Sequence, residues 1–217
     1  MKTNPVVLVT GFAPFGGECI NPSWEIAKAL PEKIGAHTIR ALRVPTVFGK
    51  AIEAVTKAID QHQPSLIISI GQAGGRAAIS VERIAINIDD ARIADNAGRQ
   101  PIDEAIAMNG PAAYFATLPV KAMVEAIRKR GIPGEVSNSA GTFVCNHLMY
   151  GVLHHLVAIK STARAGFIHV PFLPSQVTDR PTTSSMTVDM MTAGIEIAIG
   201  AALKTKRDRK LIGGALD

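Results

Sequence analysis

Cysteine is scarce in this chain of 217 residues, which has only Cys19 and Cys145. One bridge at most is too little for a disulfide framework. Cys-x-x-Cys and His-Glu-x-x-His are both missing, so the familiar zinc patterns are excluded and no metal is expected. Gly-x-Ser-x-Gly is missing too, which disfavours a serine nucleophile elbow. The glycine-rich stretch Gly71–Gly75 is neither Gly-x-Gly-x-x-Gly nor a P-loop, and is a weak phosphate signal. No apolar run reaches the ~20 residues of a membrane span. The opening Met1-Lys2-Thr3-Asn4-Pro5 has no long apolar signal region. The expected compartment is the reducing cytoplasm. Repeats, linkers and low-complexity segments are also lacking, so residues 1–217 read as one catalytic domain.

The chain carries little charge imbalance outside one place. Lys204, Lys206, Arg207, Arg209 and Lys210, against Asp208, supply +4 of the formal net charge of +5. A basic run after a final helix reads as a solvated, frayed end (residues 204–217), not a nucleic-acid site. Aromatics make up 5% of the chain, so the Phe residues gathered in the Gly11–Gly17 loop carry more information than usual.

What is present is a folding pattern. Hydrophobic residues make up 47%, enough for a full core. Val6–Thr10 and Leu66–Ile70 are continuous apolar runs, expected as strands buried on both faces. Thr38–Val44, Val81–Ile88, a short segment at Val136 and the run Gly166–Pro171 are further strands. Helices are expected from Asn21-Pro22, over Phe48–Gln61, over Val120–Arg130 closed by Gly131, after Cys145, and over Thr183–Lys204. Asp89–Ile106 is polar and irregular, a long loop of the kind that carries function. Strands alternating with helices predict an α/β protein with a mostly parallel sheet and helices on both faces. Sites in such sheets lie beyond the carboxyl ends of strands. That directs attention to the Gly11–Gly17 loop, the Gly71–Arg76 loop and His169.

Cys145 follows Ser139-Ala140-Gly141-Thr142 and opens a helical pattern through Leu148, Val152 and Leu156. A helix N-terminus favours a thiolate and can hold an oxyanion. Taken alone, Cys145 reads more readily as a small buried apolar residue. Asn146 and His147, poor core filler, raise its standing as a nucleophile. His147 itself lies on another side of the helix and reads as a surface or interfacial histidine. His169, at the end of an apolar strand, is either a core histidine or the base that the thiol needs. Glu82 stands inside an apolar strand pattern, where a carboxylate needs a partner. That partner is Arg83 or Arg76 in a structural pair, or an imidazole that Glu82 orients.

Taken together the segments resemble the pyroglutamyl peptidase I family, also called pyrrolidone-carboxylate peptidases. The likeness runs through Thr10–Gly17 with Asn21-Pro22-Ser23, Gly71–Arg76, Val81–Asn87, Asp90–Ile93 with Asp95-Asn96, Ser137–Asn146 and Phe167–Pro171. One departure is Ala94, where the family usually has Pro; it changes no chemical group. The resemblance implies a three-layer α/β/α sandwich, a triad of Glu82, Cys145 and His169, and removal of N-terminal pyroglutamate from peptides through a thioester. It suggests a homotetramer or homodimer, and the chemistry it implies needs no cofactor; the tail and the short apolar runs lead to the expectation of no nucleic-acid or membrane partner. Arg92 is expected near the oxyanion, whose first donor is the Cys145 N–H. A flat, neutral lactam suits an apolar slot, for which Phe12, Phe15, Phe143 and Val144 are candidates, with ordinary packing as the other reading of the Phe residues. The backbone around Gln72 is expected to meet the lactam polar groups. Two other readings compete: a nucleoside phosphorylase-like enzyme gripping phosphate at Gly71–Arg76, and a catalytically silent binding module.

Overall fold

Val6–Thr10 and Leu66–Ile70 send apolar side chains to both faces of a sheet, so helices must cover both. A computed structural model describes residues 4–214. Its elements in chain order are β1 (Val6–Phe12), α1 (Pro22–Ala29), β2 (Lys33–Ile34), β3 (His37–Val44), α2 (Lys50–His62), β4 (Leu66–Gln72), β5 (Ile79–Glu82), β6 (Ile84–Ile86), β7 (Ala113–Phe115), α3 (Val120–Lys129), β8 (Gly134–Ser137), α4 (Val144–Ala158), β9 (Arg164–Val170) and α5 (Val188–Lys204). A short 3-10 turn, Pro174–Gln176, follows β9.

Seven strands form the central sheet in the order β2-β3-β1-β4-β9-β5-β8. The middle of it, β3, β1, β4 and β9, is parallel. β2 is antiparallel to β3, and β5 runs against β9 while lying parallel to β8. Helices α1, α3 and α5 cover one face, with Ile26, Val124, Ile127, Ile195 and Ile199 against Val7, Val9, Ile68 and Ile70. Helices α2 and α4 cover the other, with Val55, Leu148, Val152 and Leu156 against Leu8, Ile67 and Phe167. The result is the three-layer α/β/α sandwich.

Three expectations change. Val81–Ile88 is not one strand: it breaks at Arg83 into β5 and β6, which belong to different sheets. β6 pairs with β7, and the buried Asn146 amide meets both the N–H and the C=O of Ile86, each at 2.9 Å. Alternation alone does not say which neighbour a strand finds. The last helix starts at Val188, later than Thr183, because Thr187 caps it by accepting from Met190 N. The basic stretch after α5 is not free of the fold up to Gly214. Asp208 accepts from the N–H groups of Lys121 and Ala122 at 3.0 Å each, capping α3, and Arg209 pairs with Glu125 at 2.6 Å. The last three residues of that stretch, and Met1–Thr3, lie outside the described residues.

Asn21 opens α1 as its sequence suggested, and does more. Its Oδ1 accepts from Ser23 N and Oγ, and its Nδ2 donates to Ala13 O, tying the Phe-rich loop to the helix. Asn21→Ala should lower unfolding stability by about 1–3 kcal/mol, read from the urea midpoint. A midpoint within error of the parent would show that the cap contributes nothing.

Candidate active site

The register of β4 on β9 sets Gly71 beside His169, at the carboxyl ends of two central strands. α4 starts above them. Phe143, the N-cap, has extended backbone and offers no side-chain cap, so the first-turn N–H groups, including that of Cys145, are open. The Cys145 thiol rests on Gly71: a Cβ added there would lie 2.8 Å from its Sγ and 2.7 Å from the Phe167 ring. Gly71 is therefore required by the seating of the thiol.

His169 is 4% exposed and Glu82 fully buried. Their contact is Nδ1 to Oε1 at 2.8 Å. A carboxylate only accepts, so Nδ1 carries the proton and Nε2 keeps its lone pair. No hydrogen bond reaches Nε2 among the described residues. Arg76 donates to the same Oε1 at 2.7 Å. Glu82 thus contacts an arginine and an imidazole through the same oxygen. Arg83 is not that arginine; its guanidinium donates to Gly213 O instead.

Burial pushes the Cys145 thiol up to about 12, the Glu82 charge adds to this, and the Arg76 charge offsets part of it. Burial also lowers His169, against the Glu82 hydrogen bond and charge, with Arg76 lowering it further. The sequence suggested a thiolate favoured by the helix start. That effect is about 0.3–1 kcal/mol, whereas raising the thiol to about 12 corresponds to roughly 4 kcal/mol. Burial outweighs the helix start, so both shifts favour the uncharged thiol and the uncharged imidazole.

The expected pocket residues are brought together in part. The Phe15 ring centroid lies 6.0 Å from that of Phe143, and Phe143 meets Phe48 edge-on at 5.4 Å. Phe12 is buried with its ring 6.2 Å from Phe167, which in turn touches His169 at 4.8 Å. Val144 is buried in the first turn of α4. Gln72 follows Gly71, so its side chain leaves the sheet on the face away from Cys145. There its Oε1 accepts from Gln176 Nε2 at 3.0 Å. Arg92 is exposed and makes no hydrogen bond or ion pair among the described residues. Its loop is fastened nearby, Thr142 Oγ1 donating to Asp90 O at 2.7 Å.

Sequence reasoning missed Phe48, Phe167, Arg76 as a site residue and the true place of His147. Phe48 was detectable, since any Phe is notable in so aromatic-poor a chain. His147 is buried rather than on the surface: its Nδ1 contacts Asp89 Oδ2 at 2.8 Å. Its Nε2 accepts from Gly49 N at 2.8 Å, so that lone pair cannot take a proton from a thiol. Both thiols are free, Cys19 being exposed. Among the described residues, no cluster of His, Cys, Asp and Glu has the form of a metal site.

The profile of the family described as Pyroglutamyl peptidase matches residues 5–205. The chain belongs to the pyroglutamyl peptidase family. It is 52% identical over 211 residues to a pyrrolidone-carboxylate peptidase of Yersinia pestis, covering 97% of this chain and 98% of the relative. The crystal structure of pyroglutamyl peptidase I from Bacillus amyloliquefaciens matches with a TM-score of 0.93 at 46% identity, covering 96% of this chain and 100% of that one. Pyrrolidone carboxyl peptidase from Pyrococcus furiosus matches with a TM-score of 0.89 at 46% identity, covering 92% and 98%. This pyroglutamyl peptidase is accordingly a cysteine-peptidase hydrolase, and nothing in these likenesses supports a phosphorylase or a silent module.

Gly71→Ala should displace the thiol while leaving the sheet intact. Turnover of a pyroglutamyl amide is expected to fall about 100-fold, with an unchanged far-UV spectrum. Parent-level turnover would show that Gly71 does not seat the thiol.

Proposed function

We propose that this enzyme cleaves the bond after an N-terminal pyroglutamyl residue, with Cys145 as nucleophile, His169 as base and then acid, and Glu82 as orienter. The observation that supports it is the Glu82–His169 contact at 2.8 Å, beside a thiol packed on Gly71. Because the setting favours uncharged thiol and imidazole, proton transfer to Nε2 accompanies attack by Sγ on the carbonyl. The oxyanion meets the Cys145 N–H, with Arg92 swinging in from its exposed position. Glu82 stabilises the imidazolium. The C–N bond breaks as His169 returns the proton to the leaving amine, leaving a thioester that water, deprotonated by His169, hydrolyses. These steps call for no cofactor and no metal.

Phe12, Phe15, Phe143 and Val144 form the lactam slot, with Phe48 backing Phe143. Gln72 main-chain groups pair with the lactam, since its side chain is occupied by Gln176. A proline ring lacks the lactam carbonyl, so those buried groups would stay unpaired. The whole chain acts as one catalytic domain in the cytoplasm, as a homodimer or homotetramer, without nucleic-acid or membrane partners. No helix among the described residues is long and apolar enough to cross a membrane.

Release of a fluorescent amine from a pyroglutamyl amide, beside a prolyl amide, tests this reading. Cleavage of the first alone is expected, with Cys145→Ser losing roughly 1000-fold or more and Cys19→Ser unchanged. Activity kept by Cys145→Ser would remove the central claim. The active base is neutral His169, and burial lowers its pKa. Activity is therefore lost only as pH falls through that lowered value. The acid limb of kcat/KM should lie below the ordinary imidazole value of about 6.5; a limb above it would contradict the assignment.

A further inference from the structure

Arg76 sits in the turn after β4, following Gly75, whose φ of +88° needs glycine. Its guanidinium is divided between two targets. Nη1 donates to Glu82 Oε1 at 2.7 Å, and Nη2 donates to Ser139 O at 3.2 Å. Ser139 belongs to the loop that enters α4 at Phe143, two residues before Cys145. One side chain therefore joins the carboxylate to the segment that delivers the thiol. The arginine is 27% exposed and Glu82 not at all, so the cation approaches the buried charge from the solvent side.

From the shared oxygen and the tie to Ser139, we infer that Arg76 is a positioning residue for the Glu82–His169–Cys145 group, acting through Glu82. The inference rests on the triad reading above. Glu82 Oε1 is held between the guanidinium and the imidazole, while Oε2 is buried without a partner. Arg76 is the one Lys or Arg paired with Glu82 among the described residues. With Arg76 present, the carboxylate charge is shared, and the imidazole is oriented without being driven to its charged form. Without it, the full negative charge falls on His169, which would hold a proton more tightly and serve less well as a base. The Arg76 charge also lowers the Cys145 thiol, so its loss raises both groups.

The groups facing Glu82 can be named by element. His169 approaches from β9, Cys145 from α4 and Arg76 from the β4 turn. Glu135 on neighbouring β8 is engaged by Ser80 Oγ at 2.6 Å, and Arg83 is turned to Gly213 O. Arg76 therefore dominates the positive field at this carboxylate.

The test compares Arg76→Gln and Arg76→Lys with the parent in pH–rate profiles on a pyroglutamyl amide, alongside NMR titration of the His169 ring. Arg76→Gln should lower kcat roughly 10- to 100-fold with KM little changed. Removing a cation raises the His169 pKa, so the acid limb and the NMR titration should both move to higher pH. Arg76→Lys keeps the charge but cannot reach both targets, and should restore the pH profile with part of the rate. Glu82→Gln serves as the background: adding Arg76→Gln to it should cost little more. Parent-like kcat and titration in Arg76→Gln, with Glu82→Gln impaired, would overturn the inference and leave the triad standing. A fully active Glu82→Gln would overturn both. Should Arg76→Gln fail to fold, a Lys variant whose His169 titration moves as far as 1 unit from the parent's would also reject the charge argument.

Discussion

A carboxylate removed from solvent organises the candidate site. Glu82 has no exposure, and an unpaired charge there would be strongly unfavourable. Two donors converge on one of its oxygens, from the ends of two other strands in the same sheet. The antiparallel placement of β5 against β9 puts Ser80 opposite His169 and lets Glu82 reach the imidazole from the side. The chain leaves the central sheet immediately after Glu82, and β6 departs to pair with β7.

Among the described residues, two buried imidazole–carboxylate pairs share the same contact length of 2.8 Å. What separates them is the second ring nitrogen. His147 Nε2 accepts the Gly49 N–H at the start of α2, so this pair fastens α2 and the long loop to α4. His169 Nε2 meets no donor among the described residues, on the strand next to Gly71 where the thiol rests. Chemical capacity here depends on an unoccupied lone pair more than on the pairing itself.

The helix start and the sheet make opposing demands on Cys145. Open N–H groups favour a negative charge, yet the partly buried thiol packs on Gly71, and burial favours its uncharged form. On the reading proposed above, the N–H groups serve the oxyanion of a bound substrate more than the thiol. The Phe15–Phe143–Phe48 contacts stand over this helix start, and Phe48 N is held by Asp95 Oδ2 at 2.9 Å, from the same loop that carries Arg92.

Much of this was legible in the residues. The apolar runs of β1, β4 and β9, the Asn21-Pro22 helix start and the Gly131 stop are local signals, and local signals survive in sequence. Cys145, His169 and Glu82 stood out because each is chemically unusual for its surroundings. The short strands β2 and β7 and the break at Arg83 were not legible, because they depend on which partner is near. The same holds for the pairings: Glu82 and His169 are separated by 87 residues, and Gly49 and His147 by 98. By itself the sequence determined the long elements, their order and the residue types available for chemistry, since propensity and burial pattern act within a few residues. Only the tertiary structure decided which imidazole keeps a free nitrogen, which arginine holds Glu82 and which way burial shifts the thiol, since hydrogen-bond occupancy and desolvation depend on groups distant in the chain.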